Sequence, residues 1–120
     1  MLQKGTTFIR SGHVWFHITE RTPKNPSVLC VNLTCLDDQC PDDECHINKS
    51  EYSWVRDGYA TAVAFSRARI WNGDSIEKCL RNGLLSEPHQ EDVPKSTVLK
   101  VIKAALSSRE LNADCRALLK

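Results

Sequence analysis

Two segments of this chain alternate apolar and polar side chains with a period of two, and they constrain its fold more than any other feature. From His13 to Thr19, Val14, Phe16 and Ile18 fall on one side. His13, Trp15, His17 and Thr19 fall on the other. From Ser27 to Cys35, Leu29, Val31, Leu33 and Cys35 share a side, and Cys30, Asn32 and Thr34 share its opposite. Both read as strands of a sheet. Thr6 to Arg10 is a shorter run of β-formers after Gly5, and Ser11-Gly12 reads as a tight turn into the next strand.

A third long run, Tyr59 to Ile70, is also read as a strand. One face carries Tyr59, Thr61, Val63, Phe65, Arg67 and Arg69. The other carries Ala60, Ala62, Ala64, Ser66, Ala68 and Ile70, a row of small residues that lets another element approach closely. A packed helix or a close second sheet fits that row. Cys45 to Ile47 and Tyr52 to Val55 are candidates for shorter extended segments. The two prolines between Arg21 and Pro26, the acidic stretch Leu36 to Glu44 with Pro41, and Pro88 to Val93 read as loops.

After Asn72-Gly73 the period becomes helical. Asp74 or Ser75 is placed to cap a helix running to about Asn82, and Gly83 to end it. A second helix follows Pro94, with Val98, Val101, Ile102 and Ala105 on one face. Ser108 is placed to cap a third, with Leu111, Cys115 and Leu118 apolar. Strands followed by helices, in 120 residues, read as one mainly β (α+β) domain: strands over about 5–70 and helices over about 74–119.

No stretch is long and apolar enough to span a bilayer, and Met1 to Gly5 lacks the core of a secretion signal. A cytoplasmic protein with no membrane partner and six reduced cysteines is therefore expected. Cys30, Cys35, Cys40 and Cys45 stand five apart, wider than a zinc knuckle, and Cys30 and Cys35 point to opposite sides of one strand. No metal and no cofactor are expected. A nucleophilic Cys45 beside His46 has no local signature to support it.

The net charge of +1 hides an uneven distribution. Asp37, Asp38, Asp42, Asp43 and Glu44 lie in one segment without a basic residue. The rest of the chain carries 16 basic and 10 acidic residues, or +6. Candidate binding residues follow. His13, Trp15 and His17 share a strand face, which would combine acid–base groups with a stacking ring if open to solvent. Arg67 and Arg69 are spaced to hold a phosphate. Trp54 belongs to an aromatic and basic group with Tyr52, Arg56 and Tyr59, a pattern that suits single-stranded nucleic acid or a packed core.

Gly5-Thr6-Thr7-Phe8, Gly12 to Thr19, Val28 to Thr34, Asp43 to Ile47, the run from Tyr59 to Ile70 and the apolar stripe of the second helix together resemble the MazF/PemK-like family of small toxins. The resemblance implies an SH3-like β-barrel with C-terminal helices, commonly a homodimer. It implies metal-independent cleavage of single-stranded RNA and neutralisation by an antitoxin-like protein. The family's catalytic threonine corresponds to Thr34. Its arginine-proline is absent near Gly12-His13, where His13 and Arg10 are the available substitutes.

Two functions are thus expected. In the first, a toxin-like ribonuclease uses His13 or His17 as acid or base, Thr34 as orienting hydroxyl and Arg10 or Arg67 at the phosphate. In the second, a non-catalytic module on the same fold binds a protein or a small molecule.

Overall fold

The computed structural model describes residues 3–35, 44–55, 61–86 and 91–119. The acidic run Asp37 to Asp43, Cys40, Arg56, Tyr59, Ala60 and the proline loop at Pro88 lie outside the described residues, as does the side chain of Cys35.

Among the described residues, five antiparallel strands form one sheet: β1 (Thr7–Arg10), β2 (His13–His17), β3 (Ser27–Cys35), β4 (Thr61–Val63) and β5 (Arg69–Asn72). Three described helices follow: α1 (Gly73–Arg81), α2 (Lys95–Ser107) and α3 (Ala113–Ala117). The strand order is β1-β2-β3, with β4 and β5 both on the far side of β3. The result is an open, mainly β α+β sheet.

The β1–β2 hairpin is local in origin. Ser11 and Gly12 have φ of 52° and 76°, so both central residues of the two-residue turn are left-handed. Such a turn matches the twist of the strands it joins. It sets Arg10 opposite His13, and Phe8 opposite Trp15.

The expected strand from Tyr59 to Ile70 is corrected. Within the described residues it breaks into β4, a 3-10 turn at Phe65–Arg67, and β5. β4 pairs Val63 with Leu33, a register that would carry Arg69 opposite Ser27. β5 instead pairs Arg69 with Cys30. The turn therefore inserts three residues. An odd insertion exchanges the two faces, so Arg69 and Trp71 leave the side that Val63 occupies.

Each face of the sheet has its own core. On the first, Val14, Phe16, Ile18, Leu29, Val31, Leu33 and Val63 meet Val98, Val101 and Ala105 of α2, then Leu111 and Cys115. Burying Val98 and Val101 contributes roughly 1.5–3 kcal/mol each. Cys45 and Ile47 reach this core through a single bridge, His46 to Ala62. Tyr52 and Val55 also fill it, from turns rather than from the extended segment expected. On the second face, Phe8, Trp15, Val28 and Cys30 pack with Ile76 of α1, and Trp71, Leu80 and Leu85 cover them.

The helix caps differ from expectation by a few residues. Asn72, not Asp74 or Ser75, caps α1, its Oδ1 accepting from Ser75 N at 3.0 Å. Asn112 caps α3, its Oδ1 accepting from Cys115 N at 2.9 Å. Ser108 instead closes the turn between α2 and α3, where its Oγ accepts from Glu110 N and Leu111 N and donates to Glu44. Glu44, read in sequence as part of an acidic loop, is thus an anchor, and Arg109 N also donates to it at 2.9 Å.

Candidate nucleic-acid interface

The second face of the sheet gathers most of the sequence candidates. The hairpin turn brings Arg10 and His13 together at one end. The β2–β3 register pairs Trp15 with Asn32, and His13 and Thr34 each lie two residues beyond that pair toward the same end. Arg10 is exposed, and His13 and Thr34 are half-buried. These three form an accessible rim.

Below the rim lies an aromatic group that crosses the sheet. Trp71 on β5 meets Trp15 on β2, with ring centroids 4.7 Å apart and tilted by 53°. Phe8 on β1 is 6.0 Å from the same ring. The Arg10 guanidinium carbon stands 4.5 Å from the Trp71 ring centre. A guanidinium held over an indole keeps its N–H edge available for an anion. The Trp15 indole N–H donates to the Arg10 carbonyl at 3.1 Å, which ties rim to ring. Residues of β1, β2 and β5 thus meet over one surface although β3 separates β2 from β5.

Trp71 was not among the sequence candidates. It stands beside Asn72-Gly73, which reads as turn punctuation. Its signal was its spacing of two from Arg69.

The other candidates are buried or stand apart from the rim. His17 shares the strand side of His13, but its side chain is wholly buried. Its Nδ1 donates to the Thr19 carbonyl at 2.8 Å. Burial pushes its pKa below the ordinary imidazole value, and that carbonyl works in the opposite direction. The neutral ring's Nε2 has no hydrogen-bond partner. Trp15 is also buried, at 7% exposure. The strand face shared by His13, Trp15 and His17 is therefore open only at His13.

Arg67 and Arg69 are not neighbours on one strand. Arg67 ends the 3-10 turn and Arg69 opens β5. Both are exposed, and the Arg69 guanidinium donates back to the carbonyls of Arg67 at 3.2 Å and Ala68 at 3.1 Å. Trp54 is packed against the first core, on the other side of the sheet.

Three of the described thiols are ill suited to chemistry. Cys30, Cys45 and Cys115 are buried. Burial pushes the Cys30 thiol up to about 12 and raises those of Cys45 and Cys115. Among the described residues, no three of His, Cys, Asp and Glu converge as metal ligands. Among the described residues, no helix is long and apolar enough to cross a membrane.

A rim of one arginine, one histidine and one hydroxyl, set over indole rings, can hold a phosphodiester beside a stacked base. No protein-family model, characterised protein or solved structure matches the chain.

Proposed function

We propose that the protein is a toxin-like RNA-binding protein that cleaves single-stranded RNA without metal at the Arg10–His13–Thr34 rim. The observation that carries this reading is the pairing of Arg10 with His13 across a two-residue turn, with Thr34 displaced toward them from the Trp15–Asn32 pair. A cation, a titratable imidazole and a hydroxyl are the groups that phosphodiester transesterification uses.

In the reaction His13 takes the proton of the ribose 2′-hydroxyl. The 2′-oxygen then bonds to phosphorus, and the bond to the 5′-oxygen breaks. The products are a 2′,3′-cyclic phosphate and a 5′-hydroxyl, the latter protonated from water. Arg10 faces the charge that builds on the phosphorane, and Thr34 orients it. His17, being buried and neutral, has no part in the chemistry. The SH3-like barrel of MazF/PemK-like toxins is compatible with side chains of β1 and β5 meeting over one face.

A second reading, a module that docks a protein such as an antitoxin or a second copy of the chain, is favoured by Leu99 and Leu106. These residues, 62% and 50% exposed, stand seven apart on α2.

Incubating the protein with mixed single-stranded RNA, with and without chelator, tests the first reading. Chelator-insensitive cleavage that His13→Ala and Thr34→Ala both abolish is the expected result, with losses of about 10²–10⁴-fold for His13→Ala. Intact RNA and no binding would leave the docking module.

A further inference from the structure

The described arginines are held in different ways, and the difference singles out Arg10. The Arg21 guanidinium donates to Asp74 at 2.7 Å and to Glu77 at 2.8 Å, so its charge is matched inside the fold. Those of Arg69 and Arg116 donate to main-chain carbonyls. Each of these commits N–H donors to the chain itself. Among the described residues, Arg10 pairs with no carboxylate. Its guanidinium lies over the Trp71 ring instead, 4.5 Å from the ring centre.

The consequence is chemical. A carboxylate would fix the guanidinium but cancel its charge and occupy its donors. The negative face of an indole attracts the cation while leaving the N–H groups in the guanidinium plane free. Arg10 is exposed, so it can meet an anion without first giving up a partner.

Both ends of this contact are fixed by the fold. Trp71 pairs with Val28 in the sheet, and the next residue, Asn72, caps α1. Its ring packs on Trp15 and Phe8. On the other side, the Arg10 carbonyl accepts from the Trp15 indole N–H at 3.1 Å, and the neighbouring Ile9 N donates to the Ser86 carbonyl at 2.7 Å. Ring and arginine backbone are therefore anchored independently, and the side chain between them is stacked in advance.

We infer that Trp71 is the positioning residue of Arg10, holding its guanidinium at the rim for a phosphate without itself contacting the RNA. The inference rests on the RNA reading above and adds the residue that prepares its cation. A long side chain already ordered before binding loses less freedom when the ligand arrives. Releasing Arg10 from the ring should therefore cost affinity only through Arg10.

The test is a double-mutant cycle on affinity for a single-stranded oligoribonucleotide at fixed salt, using protein shown to be folded by circular dichroism. Trp71→Leu should weaken binding about two- to tenfold while Arg10 is present. In the Arg10→Ala background the same substitution should change affinity by less than about twofold. Trp71→Phe keeps a ring of weaker cation affinity, so its loss should be smaller and should also vanish with Arg10→Ala. It carries the test if Trp71→Leu does not fold. Leu80 packs against the same core, and Leu80→Ala should leave affinity at the wild-type value. No loss in Trp71→Leu, or in Trp71→Phe where only it folds, would overturn the inference. So would an equal loss with and without Arg10, or a matching loss in Leu80→Ala, which would leave Trp71 as a packing or base-stacking ring. Failure of wild type to bind the oligomer would overturn the RNA reading and this inference with it.

Discussion

The two faces of the β-sheet are filled by different chemistry. Under α2 and α3, the buried strand residues are aliphatic apart from Phe16 and two threonines, Thr7 and Thr61. Under α1, the same strands present Phe8, Trp15, Cys30, His17 and Asn32, edged by Arg10 and His13. The first face has what cohesion requires. Among the described residues, the second retains three buried polar atoms without partners, all on His17 and Asn32. Stability alone would not select these residues. On the proposed reading, one face holds the fold and the other binds.

The largest expected effect sharpens that division. Phe16→Ala removes a fully buried ring from the first core and should cost about 3–5 kcal/mol in urea or thermal unfolding. The folded fraction should still bind RNA with wild-type affinity. A loss of affinity in protein shown to be folded would break the division between the faces.

Acid should act through the second face. His17 has its pKa lowered in the folded state, so its neutral form is the one the fold prefers. Its contribution is complete above the unfolded value of about 6.5 and is lost as pH falls below it. The cost is at most about 1.4 kcal/mol for each pH unit, until the folded pKa is reached. Denaturant melts at pH 7.5, 6.5 and 5.5 should show the decline, and His17→Leu should remove that part of it. An unchanged pH dependence in His17→Leu would mean that another group sets it.

The sequence carried the first face more fully than the second, for a physical reason. Val14, Phe16 and Ile18, like Leu29, Val31 and Leu33, alternate within single strands, so the segment itself states which way they point. The Ser11-Gly12 turn is equally local and brought Arg10 to His13. The cover over the second face comes from α1 and Trp71, some sixty residues away along the chain. Alternation cannot report such a distant partner, so it leaves open whether His17 and Trp15 face solvent or a packed layer, and both are buried. The run from Tyr59 kept its alternation through Val63 and Phe65, and nothing in that pattern marks the three-residue shift that turns Arg69 and Trp71 to the other face. Asn32 appeared as an ordinary polar residue on a strand, because an unpaired amide is a property of its surroundings.

The most direct test of the binding face is the salt dependence of affinity for a single-stranded oligoribonucleotide. It should be measured for wild type, Arg10→Ala and Lys103→Ala, the last an exposed residue of the helix that covers the opposite face. Arg10→Ala should weaken binding and flatten the slope of log K against log salt by about 0.7, the loss of one phosphate contact on a single strand. Lys103→Ala should match wild type. Equal slopes in wild type and Arg10→Ala, or a flatter slope in Lys103→Ala alone, would contradict the assignment of binding to the Arg10 face.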